Sequence, residues 1–244
     1  MEEIKVLDFD SGVFGMKIAR FTGKFLTEDA ARVIKKECKD TGIRCIYIDI
    51  NINDFNSLSV ASKEGFLLTD VKITLQRKLK NPLEIITLLD GFEISDSLKK
   101  GDRKYLEQLS VELSETSRFA FDRNFALSSV HALYKTWLLN SLNGSAANKV
   151  FMVKDIRLQE PIGLVTCKNN SHHGEIVLIV VKDEYRGMSL GGALLNKSFH
   201  YFAQQGVSEV MVTTHGRTID AQRFYQKNGF LTYSVVVSFH VWVN

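Results

Sequence analysis

The feature that most constrains this chain is a long-range repeat marked by four glycines. Gly42 and Gly65 are matched by Gly206 and Gly229 at a single offset of 164 residues, without a gap. Glycine commonly occupies the position that ends a helix. In both copies the apolar pattern predicts helix, strand, helix and strand in the same order. A match of this kind is typical of a duplicated structural unit.

The two copies differ in completeness. The first consists of a short strand followed by two helices alternating with two strands, whereas the second lies in a longer region that also predicts a strand, two helices and a hairpin. Within that region Glu175–Val181 is almost wholly apolar, which predicts a strand buried on both faces. The first copy has predicted strands Ile18–Phe21, Ile43–Ile50 and Leu67–Leu75 and helices Glu28–Lys39 and Phe55–Glu64. The longer region has predicted strands Phe92–Ser95, Val150–Val153, Ile162–Lys168, Glu175–Val181, Val207–Thr214 and Phe230–Val243 and helices Arg103–Ser114, Leu127–Leu142, Leu190–Gln205 and Asp220–Asn228.

We therefore expect two parts, a partial domain over residues 1–82 and a complete one over residues 83–244. The boundary is placed near Asn81-Pro82 because Pro82 is one of only two prolines in the chain. No long flexible linker separates the parts, which predicts that they pack tightly. The strand Phe230–Val243 is long enough to join two chains in a homodimer if it lies at a sheet edge.

Composition excludes several classes of protein. The 244 residues are 45% hydrophobic, which suits one large or two small globular domains. No apolar run approaches the roughly 20 residues that cross a bilayer, and the acidic start Met1-Glu2-Glu3 is unlike a secretory signal. Three cysteines without metal-like spacing predict no metal site and a reduced, cytoplasmic setting. A net charge of +3 with scattered basic residues predicts no nucleic-acid partner.

The most informative local segment runs from Ile179 to Leu195 and predicts a buried strand, a glycine turn and a helix. Such a turn aims several backbone N–H groups at one point, next to the positive end of the helix. This arrangement suits a pyrophosphate. The spacing of Gly187, Gly191 and Gly192 matches neither the Walker phosphate loop nor the dinucleotide-binding pattern. A plain strand-to-helix turn without a ligand is the alternative.

This segment and a later one resemble the two signatures of the GNAT (Gcn5-related N-acetyltransferase) superfamily. Arg186 and Gly191 match the ends of Arg/Gln-x-x-Gly-x-Gly/Ala, while Ser189 replaces the middle glycine. The stretch from Ala221 to Phe230 matches A-x-x-F-Y-x-K-x-G-F. The resemblance covers about residues 83–244 and implies an α+β fold with a mixed, mostly antiparallel sheet flanked by helices. Residues 1–82 would then be a degenerate GNAT-like half.

The superfamily resemblance also implies acetyl-CoA as the co-substrate. Its pyrophosphate would bind the turn, and its pantetheine would pair like a strand with the backbone of Ile179 and Val181. The turn residues expected at this site are Arg186, Gly187, Met188, Ser189, Leu190, Gly191 and Gly192.

A narrower resemblance, to the TDP-fucosamine acetyltransferase family, covers nearly the whole chain. It rests on Asp10–Gly15, on Ser117-Arg118-Phe119, and on Tyr134 and Trp137. That family joins a partial N-terminal half to a complete one and acetylates the 4-amino group of a dTDP-linked 4-amino-4,6-dideoxy sugar. The resemblance therefore implies a nucleotide-linked amino sugar as acceptor. Acetylation of another small-molecule amine, an amino acid or a protein amine stays open, as does a non-catalytic acyl-CoA-binding module.

Acetyl transfer to an amine needs a base for the amine and an acid for the departing thiolate. The resemblance assigns the acid to Tyr225, and the offset places Ala61 at the equivalent position of the first copy. Two carboxylates are alternative bases: Asp70, which can reach the cleft from the N-terminal half, and Glu175, on the strand that leads to the turn. The competing interpretations are core packing for Tyr225 and a solvated position for Asp70.

Further residues are predicted at the substrate site. Arg118 can bind a phosphate or carboxylate through two parallel hydrogen bonds, although an ordinary salt bridge is the alternative. Phe119, Phe121 and Phe125 can form the wall of a sugar or base pocket, with core packing as the default. His215 lies at the carboxyl end of a predicted strand, where ligands collect in such sheets. His172 and His173 are predicted to be loop residues.

Overall fold

The computed structural model describes residues 3–80, 82–83, 86–170 and 172–243, and these residues form ten strands and eight α-helices. The strands are β1 (Ile4–Val6), β2 (Ile18–Phe21), β3 (Cys45–Asn51), β4 (Leu67–Lys78), β5 (Phe92–Ser95), β6 (Lys149–Asp155), β7 (Glu160–Asn169), β8 (Gly174–Val181), β9 (Glu209–His215) and β10 (Leu231–Trp242). The helices are α1 (Asp8–Phe14), α2 (Glu28–Thr41), α3 (Phe55–Lys63), α4 (Arg103–Glu115), α5 (Arg118–Phe121), α6 (Leu127–Leu142), α7 (Leu190–Gln204) and α8 (Ile219–Lys227). The predicted α+β class is confirmed.

The predicted glycine ends of the repeated helices are confirmed. Helices α2, α3, α7 and α8 end one or two residues before Gly42, Gly65, Gly206 and Gly229 respectively. These glycines have φ values of 71°, 68°, 75° and 79°. Residues with a side chain rarely adopt this left-handed conformation, whereas glycine enters it freely.

All ten strands form one sheet in the order β1-β2-β3-β10-β4-β9-β8-β7-β6-β5. Its pairings are antiparallel except for β2 with β3 and β8 with β9, which are parallel. Strand β10 lies in the middle of the sheet, between β3 and β4. The condition set for homodimer pairing, that this strand lie at a sheet edge, is therefore not met, because both of its edges are already hydrogen-bonded within the chain.

The 164-residue offset also holds in the structure. It carries β3 onto β9, α3 onto α8, and β4 onto β10 with no change in their bounds. Helices α2 and α7 correspond approximately. The division at residues 82 and 83 stays a prediction, and Asn81, which marked it, lies outside the described residues.

The pairing of β4 with β10 exchanges strands between the two parts. Val236 pairs with Lys72, its own equivalent under the offset. Val236 also pairs with Asn51 on β3, and Lys72 pairs with His215 on β9, which is the same register one repeat later. Consequently β10 completes the sheet of the N-terminal part and β4 completes that of the C-terminal part.

Helices cover both faces of the sheet. On one face α2 and α3 pack on a core that includes Phe239, and α7 and α8 pack on a core that includes Leu75. The opposite face is covered by α1, α5 and α6 near β3, and by α4 and α6 near β7. Phe239 lies in the C-terminal part yet packs in the N-terminal core, so the two parts share their hydrophobic interior.

Candidate active site

The candidate site begins where β8 and β9 separate. Their parallel pairing covers only three residue pairs, Gly174–Val210, Glu175–Met211 and Ile176–Val212. A β-bulge at Val177 then interrupts the ladder between β8 and β7. Beyond it β8 stays paired with β7, and β9 stays paired with β4. The two strands therefore form the walls of a V-shaped cleft.

The backbone of Ile179 and Val181 faces this cleft. The N–H of Lys182 donates to the carbonyl of Ile162 at 2.8 Å, so Lys182 and Val180 face β7. Backbone groups alternate along a strand, which turns Ile179 and Val181 to the other side. The prediction that β8 is buried on both faces is confirmed: Ile176 packs in the core on one face, and Leu178 and Val180 pack in the core on the other.

The glycine turn lies at the open end of the cleft. After β8 a 3₁₀ turn over Asp183–Tyr185 leads to Gly187, with φ of 81°, and Ser189, with φ of 60°. Helix α7 begins at the next residue. Ser189 thus adopts the left-handed conformation that the glycine it replaces in the signature would favour, and the turn keeps its shape at a cost of about 1–2 kcal/mol.

The turn presents N–H groups to solvent. The first N–H groups of any helix have no partner within that helix, and Ser189 makes no side-chain cap for α7. Among the residues that the structure describes, none accepts a hydrogen bond from the N–H groups of residues 187–192. Arg186 is exposed beside them, paired with Asp183 at 2.6 Å. These groups fit a pyrophosphate, which needs several donors and a positive field.

Gly191 has a second, structural reason to be glycine. A Cβ atom at this position would lie 3.1 Å from the ring of Phe224 on α8. Close packing of α7 on α8 therefore requires a small residue here, independently of any ligand.

Tyr225 lies below the point where the strands separate. It is 5% exposed and belongs to the buried cluster that includes Ile176, Leu190 and Val212. Burial raises the pKa of its phenol well above the ordinary value of about 10. Its hydroxyl makes no hydrogen bond to the described part of the chain. Tyr225 is thus a core residue, as the competing interpretation has it, and its phenol also keeps its proton at neutral pH.

Two of the predicted residues meet at the other wall of the cleft. Nδ1 of His215, the last residue of β9, is hydrogen-bonded to Oδ2 of Asp70 on β4. Asp70 is 1% exposed, whereas the His215 side chain is 27% exposed. A carboxylate accepts, so Nδ1 donates and Nε2 carries the free lone pair. Sequence reasoning named both residues without predicting that they form a pair.

The backbone around this pair is fixed by hydrogen bonds. The Gly216 N–H donates to the Val71 carbonyl at 2.6 Å, and the Arg217 guanidinium donates to the Thr69 carbonyl. Thr69 is the extra residue of a β-bulge in β4, since Phe239 pairs with Leu68 and the preceding residue of β10 pairs with Asp70. Bulges of this kind re-aim neighbouring side chains near active sites. Asp70 is thereby held against His215.

Glu175 is not brought together with the Asp70–His215 pair. It accepts a hydrogen bond from Asn170 at 3.0 Å, at the closed end of the cleft. Its partner on β9, Met211, is four residues before His215, about 13 Å along the strand. His173 lies in the adjoining β7–β8 loop, as predicted.

Arg118 and Phe119 lie deeper than the sequence suggested. The Arg118 side chain is 7% exposed, 3.7 Å from Asp49, and stacks on the rings of Tyr47 and Phe119. Phe119 is buried in the aromatic core, which is its default interpretation. By contrast Phe121 is 55% exposed, and the guanidinium of Arg217 lies 4.1 Å above its ring.

Sequence reasoning missed the ion pair of Lys72 with Asp49, 2.7 Å apart next to the Asp70–His215 pair. Burial, and then the charge of Arg118, lower the pKa of Lys72 to about 8. Burial acts to raise the pKa of Asp49, but the charges of Lys72 and Arg118 outweigh it and lower the value to about 2. Lys72 on β4 and Asp49 on β3 are brought together by the pairing of both strands with β10, so no local sequence pattern predicts the ion pair.

Two negative findings apply to the described residues. No group of three or more His, Cys, Asp or Glu side chains there is arranged to hold a metal ion. No described helix combines the length and apolar character needed to cross a membrane.

The fold matches that of solved N-acetyltransferase structures, and part of the chain matches a family model. Residues 112–230 match the sequence model of the acetyltransferase (GNAT) family. They form an acetyltransferase domain of that family, and the protein is an N-acetyltransferase whose fold implies acetyl-CoA as donor and an amine as acceptor. The predicted GNAT-like fold is thus confirmed, and the family model supports the predicted superfamily over residues 112–230. No curated protein sequence matches the chain significantly.

Solved structures with this fold are similar over nearly the whole chain. A GCN5-related N-acetyltransferase from Sphaerobacter thermophilus is 15% identical with a TM-score of 0.67, over 98% of this chain and 76% of that one. A tandem GNAT protein from the clavulanic acid biosynthesis pathway is 12% identical with a TM-score of 0.63, over 92% and 75%. A glucosamine N-acetyltransferase region of a fungal multi-domain GH3 β-N-acetylglucosaminidase is 13% identical with a TM-score of 0.62, over 98% and 30%.

Proposed function

We propose that this protein acetylates the amino group of a nucleotide-linked amino sugar of the dTDP-4-amino-4,6-dideoxyhexose type. The acetyl donor is acetyl-CoA, which supplies an activated thioester. The observation that carries the acceptor class is the exposed ring of Phe121 with Arg217 above it, beside His215. An aromatic face suits a sugar ring or base, and a guanidinium suits a phosphate.

The donor site follows from the backbone that faces the cleft, where the Val181 carbonyl accepts from Nε of the exposed Arg186 side chain at 3.2 Å. The free N–H groups of residues 187–192 and the charge of Arg186 hold the pyrophosphate, and the backbone of Ile179 and Val181 pairs with the pantetheine amides. Tyr225 protonates the departing thiolate, since its raised pKa keeps the phenol protonated at neutral pH. The N-terminal part shapes the acceptor side and binds no donor.

The acceptor is tested by release of the CoA thiol across a panel of amines. The panel contains dTDP-, UDP- and GDP-linked amino sugars, a polyamine, free amino acids and a lysine peptide. We expect the dTDP-4-amino-4,6-dideoxyhexose to react with the highest kcat/KM, and the same nucleotide sugar with a hydroxyl in place of the amine to be inert. A higher kcat/KM for the polyamine, an amino acid or the peptide would overturn the sugar proposal and leave acetyl transfer intact.

The role of Phe121 has a matched control. Phe121→Ala should raise KM for the nucleotide sugar about tenfold with little change in kcat, because a stacking contact is lost in the bound and transition states alike. Phe25, in the loop between β2 and α2, is 57% exposed, against 55% for Phe121. Phe25→Ala therefore removes an equally exposed ring and should leave KM unchanged. Equal KM values in the two variants would contradict the stacking role.

A further inference from the structure

We infer that His215 is the base that accepts the amine proton, and that Asp70, supplied by the N-terminal part, is its positioning residue. The inference rests on the proposed acetyl transfer but not on the identity of the acceptor. It divides the catalytic machinery between the two parts of the chain.

The geometry of the pair supports these roles. Asp70 is fully buried and holds the Nδ1 proton of His215, while the imidazole edge that carries Nε2 is open to the cleft. A buried carboxylate behind a partly exposed imidazole fixes its tautomer and stabilises the imidazolium that forms when a proton arrives. The carboxylate itself makes no contact with the cleft, so it acts only through the histidine.

The surroundings hold the pair in one arrangement. The carbonyl of His215 accepts hydrogen bonds from the Thr218 hydroxyl at 2.8 Å and from the Gln222 amide at 3.2 Å. Gly216 has no space for a side chain, since a Cβ atom there would lie 3.0 Å from Val71. A base held by fixed supporting residues meets the usual requirement for a preorganised catalytic group.

The reaction balances with these two residues and Tyr225. As the amine nitrogen bonds to the acetyl carbon, one N–H proton passes to Nε2 of His215. The carbon–sulfur bond breaks, and the thiolate takes the proton of Tyr225. The imidazolium and phenolate then return to their starting forms by proton exchange through solvent.

The test measures thiol release from acetyl-CoA against pH, with the dTDP-amino sugar and with water alone as nucleophile. His215→Gln should lower kcat by about 10²–10⁴-fold for both nucleophiles and abolish the acidic limb of the pH profile, the fall in kcat/KM toward low pH that is expected of any reaction whose catalytic base must be unprotonated. Asp70→Asn should lower kcat and shift that limb without removing it. The charged groups that face His215 are Asp70 and Lys72 on β4, Asp49 on β3, Arg118 on α5 and Arg217 in the following turn.

Controls separate this inference from the proposed acceptor. Ser234→Ala changes the offset equivalent of Asp70 and should leave rate and pH profile unaltered. Nitrogen NMR of labelled histidine should show the Nδ1–H tautomer at residue 215 in the wild type and its loss in Asp70→Asn, which a merely structural aspartate would not cause. A folded His215→Gln enzyme within threefold of wild type, or with its acidic limb intact, would overturn the dyad even if the sugar is acetylated. If the sugar is not acetylated but thiol release to water still falls in His215→Gln, the proposed acceptor is wrong and the dyad stands. If the wild-type protein releases no thiol above the enzyme-free rate, both the proposed acetyl transfer and the dyad are overturned.

Discussion

The N-terminal and C-terminal parts share strand register and helix bounds but differ at every position that the chemistry uses. Tyr225 corresponds to Ala61, His215 to Asn51 and Asp70 to Ser234. Because β4 and β10 are exchanged, Asp70 serves the C-terminal site although it belongs to the N-terminal part. The comparison teaches that the N-terminal part can contribute a residue to the site although it has no counterparts of Tyr225 and His215.

The starts of the two equivalent helices, α2 and α7, differ in how their first N–H groups are satisfied. Thr27 caps α2 with its hydroxyl, which accepts from the Ala30 N–H at 3.1 Å, and the Leu26 N–H donates to Ser57 at 2.8 Å. The start of α7 has no such cap. In addition, β2 has four residues where β8 has eight. A side chain caps the first helix, whereas no side chain of the described residues caps the start of α7, which leaves its N–H groups open for the proposed pyrophosphate.

The sharpest way to break this comparison is to remove the hydroxyl that only the C-terminal part has. Tyr225→Phe should lower kcat by about 10²–10⁴-fold while the Kd for acetyl-CoA stays within twofold, because the ring and its packing remain. Steady-state kinetics and calorimetry provide the two readouts. Tyr201→Phe, in the same core region, is the control and should keep wild-type kcat. A Tyr225→Phe enzyme within threefold of wild type, with chemistry rate-limiting, would remove the acid from Tyr225.

The exchange of strands predicts that the two parts unfold together. Phe239→Ala alters a residue of β10 that packs in the N-terminal core, and should lower the free energy of unfolding by about 3–5 kcal/mol. Calorimetry should show a single transition, shifted as a whole by acetyl-CoA. Phe55→Ala, on the surface, should stay within about 0.5 kcal/mol of wild type. Two transitions, of which acetyl-CoA moves only one, would mean that the parts are independent.

A smaller effect is expected at the charged residues near the helix starts. Arg186→Ala should weaken acetyl-CoA binding about tenfold, since one charge-assisted contact is worth roughly 1.5–3 kcal/mol before solvent screening. Arg32→Ala is the matched control, because Arg32 makes the same i,i+3 pair with Asp29 on α2. Titration calorimetry should give one acetyl-CoA per chain in all three proteins. A second acetyl-CoA site of equal affinity, or an equal fall in acetyl-CoA affinity in the two variants, would contradict the proposal that only the C-terminal part binds acetyl-CoA.

The smallest effect concerns Ser189. Ser189→Gly should stabilise the protein by up to about 1 kcal/mol, because relief of the left-handed conformation slightly exceeds the added freedom of the unfolded chain. Gln159 has a φ of 55° in the β6–β7 turn, so Gln159→Gly should raise the free energy of unfolding in urea by a similar amount. Neither variant should change acetyl-CoA affinity more than twofold. A large affinity change in Ser189→Gly alone would show that the serine side chain contacts the ligand.

Local sequence patterns predicted the parts of this molecule that depend on local physics. Glycine ends and apolar periodicity located the repeated helices and strands to within two or three residues. The Tyr225 signature and the glycine turn were likewise visible, because each lies in one continuous segment. Ser189 was recognised as a departure from the signature, but its backbone conformation required the structure.

Long-range register was beyond those patterns. Nothing in Phe230–Val243 itself indicates that it inserts between β3 and β4, and so the sequence left open whether the strand lies at an edge or in the middle of the sheet. The bond between Asp70 and His215 spans 145 residues and depends on a bulge at Thr69. Arg118 matched a substrate-binding pattern, yet its burial follows from how α5 packs on Tyr47. These features are properties of strand pairing between distant segments.

The central position of β10 also has a consequence for synthesis on the ribosome. The last residue of β10 is translated 164 residues after that of β4, roughly 10–30 s later at ordinary elongation rates. Throughout that interval the facing edges of β3 and β4 lack the strand that will separate them, and unpaired edges readily recruit other strands. The nascent N-terminal part is therefore exposed to misassociation until the polypeptide returns to fill the gap, which makes chaperone protection during translation most valuable for this portion of the chain.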